Sequence, residues 1–200
     1  MARNDNRVKW PWPWPAALLF AAGCGTASSK FQVMDYRAGK AQQYQETFRE
    51  GFYGQDRDGN VNVVLQRSDP NPENPRDLVT QIVHLKSFWR SIPGQTVAEA
   101  TQLNGLVTYA ILVGERGATF EGAGSMFFQR DPWTGVLNGT LEHASLKPTR
   151  RLDDKADVFQ QAHLTGTFHA KKDGRRALRM ANEIARKFGP LPAYQPRATK

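Results

Sequence analysis

The stretch QDRDGNVNVVLQR, residues 55–67, sets Asp58 and Gly59 between two extended runs. Asp-Gly is the pair that a tight hairpin turn asks for. Its central residues need positive φ, which glycine adopts without steric cost and aspartate tolerates. Val61, Val63, Val64 and Leu65 follow at once, side chains that fit a pleated, half-buried strand. The stretch therefore predicts two antiparallel strands joined by a short turn, and the same texture recurs along the chain.

Upstream stand KFQVMDYRAG and QYQETFREGFYG; in the second, Tyr44, Phe48 and Phe52 are four apart, a spacing that fits a helix or one face of a strand. The hairpin that follows favours strand. Downstream, DPNPENP at 69–75 reads as a polar surface loop. DLVTQIVHLKSFW and LNGLVTYAILVG read as strands, the latter central because it is apolar on both faces. ATFEGAGSMFFQ, the turn RDPWTG and VLNGTLEHASLK make a further hairpin, where Gly122, Gly124 and Gly139 predict bulges or a close backbone approach. In FQQAHLTGTFHA, Ala162, Leu164, Phe168 and Ala170 share one face, and His163, Thr165, Thr167 and His169 the wet one.

Only at the end does the period change. Ala177, Leu178, Ala181, Ile184, Ala185 and Phe188 recur at helical spacing, Asp173 stands ready to cap the start, and Gly189-Pro190 stops the run. The expectation is a mainly β fold: an antiparallel β-sandwich or open barrel of seven or eight strands with one amphipathic C-terminal helix over 174–188. One domain spans 31–189 and a loose tail 190–200. Without sustained strand–helix alternation, a parallel nucleotide-binding sheet is not expected.

The formal charge of +8 is unevenly placed. Residues 1–23 carry +2 and the stretch from Lys171 to the end +7, which leaves the body between them at −1. A surface that tracks phosphates along a polynucleotide needs cations spread over the fold, so nucleic acid is not an expected partner. Arg175, Arg176, Arg179, Arg186 and Lys187 make the polar side of the predicted helix basic, a candidate for anionic headgroups or phosphate-bearing envelope polymers.

The chain owns one cysteine, which excludes an internal disulfide and a cysteine-based zinc cluster. It follows a cationic stretch with Arg3, Arg7 and Lys9, and an apolar stretch from Trp10 to Gly23 too short for a permanent span. WPWPWP within that stretch cannot be an ordinary helix. Ala21, Ala22, Gly23 and Cys24 resemble the lipobox of bacterial lipoproteins, with alanine at position 21 where leucine is commoner. The resemblance covers the first 25 or so residues. It implies a signal peptide over 1–23, cleavage before Cys24, diacylglycerol on its sulfur, acylation of the new amino group and a flexible tether over 24–30. Gly25 in place of aspartate implies an outer membrane where the cell has one. An ordinary secretory cleavage upstream of the cysteine, or an uncleaved apolar arm, are the other readings of the same residues.

Reaction signatures fail in turn. There is no GxSxG, HExxH, GxxxxGK[ST] or GxGxxG. His163 and His169 sit about 20 Å apart on one strand face at 3.3 Å per residue, too far for one metal. His84 and His143 have no placed partner. Asp56, Asp58 and Asn60 alternate as in a calcium loop, but Arg67 stands where the bidentate glutamate belongs. Asp153, Asp154 and Asp157 beside Arg150 and Arg151 read as surface charge pairs. Glu121 and Glu142 could form a carboxylate pair only if their strands set them opposite one another. No catalytic residue, metal site or cofactor is assigned. The sequence points to an exported, lipid-anchored cell-envelope protein with a structural or binding β domain. The alternatives are an envelope hydrolase whose site is assembled from dispersed residues and, third, a soluble nucleic-acid binder.

Overall fold

The structure is a computed structural model and describes residues 28–37, 40–56, 59–72, 74–87, 103–153 and 159–189. Its strands are β1 (Ser29–Arg37), β2 (Lys40–Phe48), β3 (Glu50–Gln55), β4 (Val61–Pro70), β5 (Leu78–Ser87), β6 (Gly105–Val113), β7 (Arg116–Arg130), β8 (Leu137–Arg151) and β9 (Ala162–Lys172), followed by α1 (Gly174–Phe188). The β3–β4 hairpin forms where the Asp-Gly pair stands, with Gln55 opposite Val61. Gly59 takes φ 81 and its N–H reaches the Asp56 carbonyl at 3.0 Å. The Asp56 carboxylate accepts from the backbone N–H and the side-chain amide of Asn60, each at 2.9 Å. Those contacts tie Asp56 across the turn to Gly59 and Asn60; Asp58 lies outside the described residues.

Nine strands appear because QYQETFREGFYG is not one strand but two, broken by a bend at Arg49. The break lets the chain change partners. β2 pairs with β1, whereas β3 pairs with β4 and, in parallel, with the last two residues of β9. β9 itself lies antiparallel between β1 and β8. Strands β3 to β9 thus close partly into a ring, sealed by the short β3–β9 contact, and the β1–β2 hairpin occupies the rest of that edge of β9. The fold is mainly β, as expected, but the sheet is mixed because of the parallel β3–β9 contact, and its partial ring is not a regular barrel.

Alternation sorts the strands into two layers. Val61, Val63 and Leu65 of β4, Val83 and Leu85 of β5, and Val107, Tyr109 and Ile111 of β6 point inward to a core shared with β7, β8, β9 and β1. Phe159, just before β9, fills the middle against Tyr44, Tyr109 and Phe120, with ring centroids 5.4–6.2 Å apart. On the outer side, Phe52, Val64, Ile82, Ala110 and Leu112 receive α1. β6 is buried on both faces for this reason, as its run of apolar residues predicts.

α1 is capped by Asp173, whose carboxylate accepts the Arg176 N–H at 2.9 Å, and ends at Gly189 with φ 83. Its buried stripe is Ala177, Met180, Ala181, Ile184 and Phe188. Met180, not Leu178, completes it; Leu178 is 49% exposed and Ala185 half-buried, because the helix turns about 100° per residue and the stripe centres on Ile184. Burying Met180, Ile184 and Phe188 contributes about 1.5–3 kcal/mol each. Among the described residues no helix is long and apolar enough to cross a membrane.

Glycines let several strands approach closely, two of these glycines at points where pairing changes. A Cβ on Gly122 would stand 1.8 Å from the Ser145 carbonyl oxygen, beside the register shift between Ala123 and Ser125. A Cβ on Gly51 would stand 2.4 Å from the His169 carbonyl oxygen, at the point where the chain leaves β1 and joins β9.

Candidate functional site

At one end of the ring, four elements converge: the start of β1, the β2–β3 bend, the β7–β8 turn and the β9–α1 junction. Ser29 is buried, and its hydroxyl oxygen accepts the His169 N–H at 2.9 Å. That bond serves β9 in the gap between its pairing with β1, which reaches Thr167, and its pairing with β3, which begins at Lys171. The Asp173 N–H donates to the Tyr53 carbonyl at 3.0 Å and so sets α1 against β3.

Between these elements lies a cleft of about 430 Å³, lined by Arg49, Glu50, Phe52, Val136, Lys171 and Arg176, with His169 at its wall. Arg176 is fixed twice. Its guanidinium meets the Glu50 carboxylate at 3.0 Å and lies 4.1 Å from the Phe52 ring centroid. Lys171 stands opposite Phe52 in the β9–β3 register. Arg49 and Lys171 make no ion pair among the described residues. His169 is tied by Nδ1 to the Asn138 side-chain oxygen at 2.6 Å. The cleft thus holds three cations and one carboxylate over an aromatic floor, a setting that favours an oxyanion.

Beside Val136 the β7–β8 turn is held rigidly. The Asp131 carboxylate accepts the N–H groups of Trp133 and Thr134 at 2.8 and 2.9 Å, bonds that hold its pKa below the usual carboxylate value. Gly135 adopts φ 69, and its carbonyl accepts the Tyr53 hydroxyl at 2.8 Å. Trp133 projects from this turn and is 94% exposed. The sequence announces the turn in RDPWTG but gives no sign that its tryptophan stays outside, since turn residues pack or protrude according to neighbours remote in the chain.

No family model, curated protein or solved structure matches this chain. The site is therefore weighed on its own chemistry.

Of the helix cations singled out from the sequence, Arg175, Arg179 and Arg186 fall within about 40° of one another, opposite the buried stripe. They are exposed, as is Lys187 at the last turn. Arg176 departs from the expectation of a solvated face, because its phase turns it toward β3, Glu50 and Phe52. It also lines a longer hollow of about 650 Å³ along α1 with Arg179, Glu183 and Arg186. Cys24 and residues 1–23 lie outside the described residues, as do Asp154, Asp157 and the tail 190–200.

Among the described residues, further polar groups lie apart from this cleft. Val64, His84, Thr108, Glu121 and Lys147 stand in successive register across β4 to β8 on the outer face. His84 is buried and shares a hydrogen bond of 3.1 Å with the Asn62 side-chain oxygen; burial, helped by nearby Lys86, pushes its pKa down to about 4. Burial raises the pKa of Glu121, against the pull of Arg150 and Thr149, and its Oε1 has no hydrogen-bond partner. Glu142 stands opposite Ser125 and Glu121 opposite Lys147, so the two do not pair.

Ser145 Oγ and His163 Nε2 are 3.5 Å apart as cross-strand neighbours. That is long for a nucleophile and its base, and an edge-on contact with the Tyr36 ring, centroids 5.2 Å apart, meets His163. Neither lines the clefts described. A further cleft of about 600 Å³ contains Arg67, bridged to both Glu46 and Asp69, a latch between β2 and β4. Buried Tyr109 lies nearby, its hydroxyl donating to Gln81 at 2.6 Å and its pKa raised by burial. Among the described residues no three His, Cys, Asp or Glu side chains gather to hold a metal.

Proposed function

We propose that this chain is an exported lipoprotein of the cell envelope, anchored through acyl groups on Cys24, whose β ring acts as a binding module and not as an enzyme. One observation carries the reading: the lipobox-like Ala21–Cys24 ends five residues before Ser29, the first residue of β1. Five residues span at most about 17 Å when extended, so an anchored ring keeps its Ser29 end close to the bilayer. The cations of the cleft are on that end. Several acyl chains at about 0.8 kcal/mol per buried methylene make such anchoring stable where one chain is marginal.

The experiment is mass spectrometry of the N-terminus of protein extracted from its own membranes. The expected mass is that of a chain beginning at Cys24 with diacylglycerol on sulfur and an acylated amine. An intact Met1, or an unmodified Cys24, would overturn the anchoring.

A further inference from the structure

We infer that the cleft and Trp133 together form a docking face for an anionic bilayer, with a headgroup phosphate among Arg49, Lys171 and Arg176 and the indole in the interfacial layer. The inference rests on the anchoring reading for its orientation and on the structure for its chemistry. A tryptophan at 94% exposure cannot be a core residue, and its turn is fixed by Asp131 and by the Tyr53 bond to Gly135. Such a rigid, amphipathic ring suits the boundary between headgroups and acyl chains, where one side is apolar and the other wet. Three residues along, Val136 lines the cleft.

The cleft supplies the polar half. Arg176 is held by Glu50 and Phe52 and so offers its remaining N–H donors without loss of side-chain freedom on binding. Arg49 and Lys171 bring charge that no carboxylate among the described residues neutralises. One negative group would be met by a planar guanidinium fork and by a point charge, the two ways proteins hold phosphate. Lipid is favoured over a soluble phosphate because the aromatic anchor and the cations share the end at which Ser29 enters the fold, and a free anion has no use for the indole.

The test uses the full chain with Cys24→Ser, which carries no acyl group, on vesicles of phosphatidylcholine alone or mixed with phosphatidylglycerol, their chains brominated. The readout is the part of the tryptophan quenching that Trp133→Phe removes, so the emission of the other four tryptophans, Trp10, Trp12, Trp14 and Trp89, cancels. Expected is a Trp133-dependent quench on the anionic vesicles, weak on phosphatidylcholine. Replacing Arg49 and Lys171 together by glutamine should weaken docking about thirtyfold, each cation being worth about a factor of five near an anionic surface. Both side chains are solvent-exposed, and an unchanged urea midpoint checks that the fold survives.

Quenching that is identical in the parent and Trp133→Phe, or unaffected by the double replacement, would overturn the docking face. Calorimetric binding of inorganic phosphate without a Trp133-dependent quench would overturn the lipid assignment in favour of a soluble anion. Because this chain is not acylated, either failure leaves the N-terminal mass unaltered, and an unmodified native N-terminus would leave this measurement unaltered.

Discussion

Replacing His84 by glutamine should flatten the acid side of the stability profile. The imidazole titrates at 6.5 when free and at about 4 in its buried place, so between those values the unfolded chain binds a proton that the folded chain refuses. Stability is therefore complete at neutral pH and is lost as pH falls through that window. Integrating the difference gives a loss of about 2 kcal/mol between pH 7.5 and pH 5 from this one group. Glu121 acts in the opposite sense, since its raised pKa lets the folded state take up a proton before the unfolded one. It is present in both chains and drops out of their comparison. Urea unfolding followed by far-ultraviolet circular dichroism at pH 7.5 and pH 5 gives the two slopes. Glutamine keeps an amide donor for Asn62 while removing the titration, so the parent should lose about 2 kcal/mol more than His84→Gln over this range. Equal losses in the two chains would refute the assignment of acid sensitivity to His84.

Gly51→Ala should cost about 1–3 kcal/mol by overpacking, because the new methyl meets the His169 carbonyl at 2.4 Å and a Leu65 methyl at 2.8 Å; a urea midpoint equal to the parent's would show that the crossing is loose. Asp173→Ala should cost about 1 kcal/mol by leaving the Arg176 N–H without its acceptor, and Asp173→Asn should restore most of it; equal losses in both would place the effect in charge instead of capping.

The chain-local signals carried the fold far. Asp-Gly at 58–59, the two-faced run from Leu106 to Val113 and the cap and stop of α1 each depend on neighbours within a few residues, and each is legible in the sequence. The bend at Arg49 is not, because nothing in ETFREGF forbids a continuous strand. It is imposed by β9, a strand more than a hundred residues later, which has room for β3 only beyond the start of β1. For the same reason Arg176 looked solvated: its partners Glu50 and Phe52 come from β3. Of the site, the basic helix was visible and the cleft was not, since Arg49, Val136 and Lys171 come to line one cleft only through ring closure.

The Ser29 hydroxyl binding His169 spans 140 positions along the chain. The bond joins the first strand of the sheet to its last, beside the β3–β9 contact that seals the ring, and such distant pairings carry a closure entropy and slow the search. For a polypeptide paid out from its N-terminus, the ring cannot close until β9 follows, since β9 is the strand that β1, β3 and β8 all pair with. If the chain is exported as proposed, this late closure leaves it open during passage and lets the ring form only on arrival.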